Sequence, residues 1–325
     1  MSKNNWTAKE IIEIHNSPLL ELVYRAATVH RKHNDPSEVQ VSSLLSIKTG
    51  ACSEDCSYCP QSARYHTGLK VEPLLNVDEV VDSAKKAKQG GATRFCMGAA
   101  WREVKDNKDF DKVLEMVKSV NSMGMEVCCT LGMITESQAK KLREAGLYAY
   151  NHNIDSSEDF YKKIITTRKF EDRLKTLENV RKAGITVCCG GIIGMGESVE
   201  DRAKMLVTLS SMDPQPESVP INALVPIKGT PLGTKGLVSV WEMIRMVATA
   251  RIVLPNSVVR LSAGRMQMSK EAQALCFLAG ANSIFAGDKL LTTPNPEFNE
   301  DMEMFKIFGL KPREAFKKLE KRILN

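Results

Sequence analysis

The sequence lacks the features that mark several large classes of protein. None of its 325 residues lies in an apolar stretch long enough to cross a bilayer, and residues 1–6 contain no hydrophobic signal region. We therefore expect a cytoplasmic protein. The body of the chain has no arginine stripe or lysine block, and the formal net charge of +6 is small for this length. These absences argue against nucleic-acid binding.

The chain also lacks the usual nucleotide-binding motifs. The glycine-rich stretch at residues 190–197 does not follow the order of a dinucleotide fingerprint, and no Walker lysine comes after it. We expect its glycines to let a ligand approach the backbone closely.

Nine cysteines are present, and their odd number argues against a disulfide framework. Three of them, Cys52, Cys56 and Cys59, lie in one short stretch. Sulfur ligands select zinc, copper or iron–sulfur clusters. Closed sites normally have four protein ligands, so three thiolates leave one metal corner open to a small molecule. By spacing alone, a zinc site completed by His66 is the alternative.

Short apolar or β-branched runs alternate with amphipathic helical patterns. The eight predicted strands are residues 39–47, 94–101, 126–133, 148–155, 186–195, 218–226, 258–265 and 283–290. Helix starts are indicated by Asn76 and by the pairs Thr135 with Gln138 and Ser239 with Glu242. Eight such units predict an α/β protein of the (β/α)8 TIM-barrel type, with an open doubly wound sheet as the alternative.

We predict a single domain over residues 1–325, since no linker divides the chain. Its core would span residues 39–292. Residues 1–38 would form N-terminal helices that begin at a Thr7–Glu10 capping box, and residues 293–325 a C-terminal surface segment.

The remaining chemistry-bearing residues lie in predicted strands. Cys96, Cys128 and Cys188 occupy three different strands. Each alone is typical of a buried core residue, but inward side chains of a barrel converge on its axis. Because side chains alternate, only one member of each doublet, Cys128-Cys129 and Cys188-Cys189, can point inward. Cys276 is interpreted as core.

Polar residues also line predicted strands four and seven. Asn151, Asn153 and Asp155 share one face, with His152 between them pointing outward. Arg260 inside a barrel should meet an anion, unless it forms a salt bridge, for which Asp155 is a candidate.

The cysteine stretch, Cys52-x-x-x-Cys56-x-Tyr58-Cys59, resembles the cluster loop of the radical S-adenosylmethionine enzymes. Residues 59–65, 96–101, 150–155 and 219–222 are similar to those members that insert sulfur into dethiobiotin to form biotin. The resemblance spans nearly the whole chain. It implies a homodimeric sulfurtransferase that uses S-adenosylmethionine, a reducing donor of the flavodoxin or ferredoxin type, and the iron–sulfur assembly machinery.

The resemblance also implies residue roles. Cys52, Cys56 and Cys59 would hold a [4Fe–4S] cluster whose fourth iron binds S-adenosylmethionine, and Cys96, Cys128, Cys188 and Arg260 a [2Fe–2S] cluster. The loop cysteines and Arg260 are the predicted catalytic residues. Cofactor contacts fall on Tyr58, Asn153, Asp155 and Ile192, and substrate contacts on Asn151, Asn153, Asn222 and Ala99. Alternatives are another radical S-adenosylmethionine enzyme acting on a small molecule, or a non-enzymatic zinc or iron–sulfur binding protein.

Overall fold

The computed structural model describes residues 3–287, 289–296 and 298–317. Its strands are β1 Glu38–Lys48, β2 Arg94–Ala99, β3 Glu126–Thr130, β4 Ala149–Asn151, β5 Thr186–Cys188, β6 Gly191–Ile193, β7 Ser218–Ala223, β8 Val258–Leu261, β9 Ser283–Phe285, β10 Lys289–Leu290, β11 Thr293–Pro294 and β12 Lys311–Pro312. The helices are α1 Ala8–His15, α2 Leu19–His33, α3 Val77–Gln89, α4 Lys108–Asn121, α5 Glu136–Glu144, α6 Glu158–Ile164, α7 Phe170–Lys182, α8 Val199–Ser210, α9 Val240–Val253, α10 Lys270–Leu278 and α11 Phe298–Phe308, with a 3-10 turn at Arg265–Gln267.

The strands form a closed parallel barrel. The hydrogen-bonded order runs β1-β2-β3-β4-β5-β7-β8-β9, and β9 pairs with β1 to close the ring. A closed ring has no free edge. The predicted (β/α)8 barrel is therefore confirmed, and the open doubly wound sheet is wrong.

Most of the predicted helix starts form as expected. Asn76 and Thr135 complete capping boxes, as does Thr7 with Glu10 at the start of α1. Ser239 is the N-cap of α9, but its side chain makes no capping hydrogen bond. Glu242 instead accepts a hydrogen bond from Arg202 Nη1 at 2.6 Å. The predicted Ser239–Glu242 box is wrong because a charged partner holds the glutamate.

The predicted fifth strand is broken in two. β5 pairs with β4 and with the start of β7, whereas β6 pairs with β7 and forms a single bridge to Asp155 through Gly191. Cys189-Gly190 separates the two strands. A Cβ on Gly190 would lie 2.0 Å from the Pro220 carbonyl oxygen, and one on Gly191 would lie 2.6 Å from that of Asp155. The nearest atom to a Cβ on Gly191 would be Met205 Sδ at 2.2 Å, so close packing within the chain accounts for both glycines. Close approach of a ligand stays a prediction.

Both flanking segments pack onto the barrel. Helix α2 lies against α9, and α1 lies against α8 and α9. Near the other end of the chain, β12 pairs in parallel with the first residues of β1. Residues 318–325 of the predicted C-terminal surface segment lie outside the described residues. In the described ranges, no helix combines the length and apolar character needed to cross a membrane.

Candidate active site

The cysteine loop follows β1 at the carboxyl ends of the strands. The backbone N–H of Cys52 donates to the Gln61 carbonyl at 2.9 Å, and Ala63 N–H donates to the Cys52 carbonyl at 2.7 Å. Within the loop, Cys59 N–H donates to the Cys56 carbonyl at 2.9 Å. These bonds fold the segment back on itself, which brings its three thiols to one side of the barrel mouth.

Asp55 ties the loop to the segment between α6 and α7. Its Oδ1 accepts hydrogen bonds from the backbone N–H groups of Thr166, at 2.9 Å, and Thr167, at 3.2 Å. Burial raises the pKa of Asp55, but the hydrogen bonds from Thr166 and Thr167 outweigh it and hold the pKa at about 2. The carboxylate therefore stays ionised and anchors the loop.

Burial keeps the thiols of Cys56 and Cys59 protonated when no metal is bound. Burial raises the pKa of Cys56 to about 12 and that of Cys59 to about 11. All nine cysteines are free of disulfide bonds. Because metals bind the thiolate, loading this loop must release protons, so occupancy depends on pH.

The arrangement of donors bears on whether the loop holds zinc or an iron–sulfur cluster. Among the described residues, no three or more His, Cys, Asp or Glu side chains are placed to hold a single metal ion, and His66 is exposed. A single zinc needs its ligands at about 2.0–2.3 Å from one centre. In an iron–sulfur cluster each thiolate binds its own iron, so more widely spaced thiols suffice. Among the described residues, His66 therefore does not complete a three-ligand metal site with the loop cysteines.

A buried ion pair lies beside the loop. Arg173, from α7, donates to Asp155 Oδ2 at 2.6 Å, and Tyr58 donates its hydroxyl to the same oxygen at 2.8 Å. Arg173 also donates to the Asn153 carbonyl at 2.8 Å. Asp155 has φ of 66°, a left-handed conformation that is uncommon outside glycine and clusters at functional sites. Tyr58, Asn153 and Asp155, the predicted cofactor contacts, are thus held together.

Deeper in the barrel, three more cysteines come together. Cys96 and Cys128 are register partners on β2 and β3, and Arg260 Nη1 lies 3.8 Å from Cys188 Sγ. A hydrogen bond from Cys128 lowers the pKa of Cys96, and the positive charges of Arg260 and Arg94 lower it further, although burial opposes both effects. Cys129 packs in the main core between strands and helices, whereas Cys128 lies with Cys96 in a separate interior cluster.

Arg260 has no carboxylate partner within the described ranges. It donates to Ser283 Oγ at 3.0 Å, Gln40 Oε1 at 3.2 Å and Ser42 Oγ at 3.3 Å, and its guanidinium lies 4.5 Å from the centre of the Phe285 ring. The possible salt bridge to Asp155 is wrong, because Arg173 occupies that carboxylate. A buried, unneutralised cation facing thiols suits an anionic group there.

Two cavities that share lining residues lie at the thiol sites. One, of about 240 Å³, is lined by the three loop cysteines, Ala99 and Arg173. The other, of about 250 Å³, runs from Tyr58 and Cys59 past Ile192 and Asn222 to Cys96, Cys128 and Arg260. Asn151, Asn153 and Asp155 line both cavities. Of the predicted contacts, Ala99 thus lies in the outer cavity, and Ile192 and Asn222 in the deeper one.

The three asparagines are engaged differently. Asn151 Nδ2 donates to Thr130 Oγ1 at 3.1 Å, and Asn153 Oδ1 accepts from Gly190 N–H at 3.1 Å. Each therefore keeps its other amide atom for a ligand. Asn222 uses both ends, donating to the Gly191 carbonyl at 3.0 Å and accepting from Ala263 N–H at 3.3 Å. Its side chain fixes backbone around the cavity.

Sequence reasoning missed two groups at this site. Arg173 reaches the cavity from helix α7. The sequence around it does not distinguish this arginine from the other lysines and arginines of the same helix. Arg94 and Glu126 form a buried pair at the opposite end of the barrel. The sequence could have indicated this pair, because Arg94 precedes Cys96 by two residues and Glu126 precedes Cys128 by two. Residues two apart on a strand point to the same face.

Family models match both halves of the chain. One described as the radical SAM superfamily matches residues 46–209, about half of the sequence. Another, described as the Biotin and Thiamin Synthesis associated domain, matches residues 220–311. The crystal structure of methylornithine synthase superposes with a TM-score of 0.80 at 19% identity, covering 95% of this chain and 94% of that one. Fold and thiol loop together define a radical S-adenosylmethionine barrel.

Full-length relatives narrow this class. Biotin synthase of Cytophaga hutchinsonii is 68% identical over 315 residues, which cover 97% of this chain and 94% of the relative. The mitochondrial biotin synthase of Arabidopsis thaliana is 59% identical over 312 residues, covering 96% and 82%. The chain belongs to the biotin synthase family.

Proposed function

We propose that this protein converts dethiobiotin to biotin by radical insertion of sulfur. The observation that carries the proposal is the placement of two thiol sites on two cavities that share lining residues, an open set of three at the mouth and a second set with an arginine in the interior. Sulfur insertion at unactivated carbon needs a place where a radical is made and a place where sulfur is stored. Two separate sites on adjoining cavities supply both.

At the mouth, Cys52, Cys56 and Cys59 would hold the [4Fe–4S] cluster and leave one iron for S-adenosylmethionine. The bound pair supplies one-electron cleavage and a radical able to take hydrogen from carbon. The protein's part is orientation. Burial, followed by the nearby Asp155 carboxylate, raises the pKa of Tyr58, so its hydroxyl stays protonated and donates to that carboxylate. Tyr58, Asn153 and Asp155 would thereby be fixed against the cofactor.

In the interior, Cys96, Cys128, Cys188 and Arg260 would hold the [2Fe–2S] cluster, which supplies the sulfur. Burial, in part offset by Arg260, raises the pKa of the Cys188 thiol. The guanidinium nonetheless lies within reach of that sulfur, and it would stabilise the thiolate once a metal displaces the proton.

Between the sites, the cavity walls match the substrate. The ureido ring of dethiobiotin carries N–H donors and a carbonyl acceptor on a small apolar body. Asn151 and Asn153 retain one amide oxygen and one amide nitrogen that have no protein partner in the described part of the chain. An acceptor and a donor in a largely apolar cavity suit such a ring. Ala99 and Asn222 would complete the enclosure, with Ile192 on the cofactor side.

We also infer a homodimer that receives electrons from a flavodoxin- or ferredoxin-type protein and obtains its clusters from the iron–sulfur assembly machinery. Family membership supports these partners. Light scattering of the anaerobic protein would test the dimer, and reduction of the loop cluster by flavodoxin would test the donor.

The decisive assay mixes anaerobically reconstituted protein with dethiobiotin, S-adenosylmethionine and a reductant, and measures biotin and 5′-deoxyadenosine. We expect C52A to lose both products, and C188A to retain part of the deoxyadenosine while losing biotin. The matched control is C276A, because Cys276 is a buried core residue of α10 and should keep both. Absence of biotin from wild-type protein with both clusters present by Mössbauer spectroscopy would refute the proposal.

A further inference from the structure

Arg94 lies beneath the interior thiols. It is the first residue of β2 and precedes Cys96 by two positions, so both side chains point to the same face of the barrel wall. Its register partner on β3 is Glu126, which precedes Cys128 by two positions in the same way. Arg94 is 5% exposed and Glu126 is 1% exposed. The pair therefore forms the layer below the cysteines.

The carboxylate of Glu126 holds one side of the guanidinium. Arg94 Nε and Nη2 donate to Glu126 Oε2 at 2.8 and 2.7 Å. The same carboxylate accepts from Gln40 Nε2 at 3.2 Å, and its Oε1 accepts from the backbone N–H of Phe316 at 2.8 Å. With these contacts from β1 and from the C-terminal segment, Glu126 fixes the orientation of Arg94.

The third guanidinium nitrogen of Arg94 is left over from these contacts. Nη1 is buried and makes no hydrogen bond to any described residue. A buried donor left unpaired costs about 1–3 kcal/mol, so folded proteins retain few of them. Besides Glu126, the groups that interact electrostatically with this guanidinium include the thiols of Cys128, Cys96 and Cys188. The guanidinium also lies 5.3 Å from the centre of the Tyr148 ring, and the Arg313 cation is near enough to oppose it.

The chemistry of the interior site calls for a second cation. A core of two ferric ions and two sulfides with three thiolates carries one net negative charge, and reduction adds another. Burying an anion is costly unless a cation and hydrogen-bond donors compensate it. Arg260 supplies one such group.

We propose that Arg94 is a positioning residue of the interior site, which donates its unpaired Nη1 to the anionic sulfur-bearing group held by Cys96, Cys128 and Cys188. The proposal rests on the proposed function, because it assumes that these cysteines bind a cluster. Glu126 serves as the fixed support that aims Arg94.

The test is the reduction potential of the [2Fe–2S] cluster, measured by anaerobic spectroelectrochemistry with the loop cluster as internal reference. R94M/E126Q removes the pair together and avoids an isolated buried charge. We expect its [2Fe–2S] potential to become more negative, or that cluster to be lost, while the loop cluster keeps its spectrum. An unchanged potential would show that Arg94 merely pairs with Glu126 and would overturn the proposal.

If the double variant does not fold, R94K decides. Lysine keeps the charge and the bond to Glu126 but lacks the planar fork that presents a further nitrogen. A more negative [2Fe–2S] potential in R94K supports the proposal, and a potential equal to that of wild type contradicts it. Failure of the proposed function itself looks different, because the wild-type protein would then make no biotin although its [2Fe–2S] cluster is present and its potential can be measured.

Discussion

Arg173 and Asp155 form an ion pair of 2.6 Å between helix α7 and the segment that follows strand β4. Arg173 is 5% exposed and Asp155 is 2% exposed, so neither charge is stabilised by bulk water. The contact joins the outer wall of the barrel to the cavity that separates the two thiol sites. It makes the position of Asp155 depend on α7 as well as on the backbone that leads out of β4.

R173M should be strongly destabilising, because it leaves the Asp155 carboxylate buried without its cation. We expect the free energy of unfolding to fall by about 3–5 kcal/mol, as measured by urea titration under anaerobic conditions. The double variant D155N/R173M should recover much of this loss, since the uncompensated charge is then gone. Losses that simply add in the double-mutant cycle would argue against a coupled pair.

C128A and C129A form a matched pair of adjacent substitutions. Cys128 lies in the interior cluster, whereas Cys129 packs between strands and helices. We expect C128A to lose the iron and sulfide of one [2Fe–2S] cluster per chain. C129A should keep both clusters and lose only about 1 kcal/mol of stability. Iron and sulfide analysis distinguishes the two variants, and equal metal loss in both would contradict the assignment of faces.

Gly190 tests the break between β5 and β6. A Cβ at this position would lie 2.0 Å from the Pro220 carbonyl oxygen, so G190A must displace backbone. G184A is its control, because Gly184 has φ of 71° but a Cβ there would meet no described neighbour within 4 Å. We expect G184A to cost about 1–2 kcal/mol from conformation alone. G190A should cost clearly more by urea unfolding. Equal costs would mean that the break tolerates a side chain.

The features that the sequence predicted best are those that follow from the repeating pattern of apolar and polar residues. Alternation along a strand was enough to separate Cys128 from Cys129. It does not account for Asn153 and Asp155, because β4 ends at Asn151 and Asp155 has φ of 66°, although all three polar residues line the same cavities. The closed barrel followed from the count of strand–helix units. These patterns are local, and burial enforces them, because a slip of one residue would turn every inward side chain outward.

Contacts between distant segments were not predictable in the same way. Arg173 meets Asp155 because α7 lies against the segment that follows β4. Glu242 leaves its expected capping position because Arg202 from α8 lies close to it. The break in strand five depends on Pro220, thirty positions after Gly190. In each case the deciding partner is far away in sequence, so no local pattern reports it.

Burial of His30 should make stability depend on pH. Burial, reinforced by Arg251 and Arg31 and opposed by Asp35, lowers the pKa of His30 to about 3. In the unfolded chain this histidine titrates near its ordinary value of about 6.5. Between these two values the unfolded state binds a proton that the folded state does not. The stabilisation that comes from keeping His30 neutral is therefore fully present above about pH 6.5. Below that pH the free energy of unfolding falls by about 1.4 kcal/mol per pH unit.

H30F removes this titration and leaves the other histidines in place. We expect the free energy of unfolding of wild-type protein to fall between pH 7.5 and pH 5.5 by about 1.4 kcal/mol more than that of H30F. Anaerobic urea titrations at the two pH values measure this difference, and comparing each protein with itself cancels the packing effect of the substitution. If both proteins lose the same free energy over this interval, His30 is protonated in the folded state and the argument from burial fails.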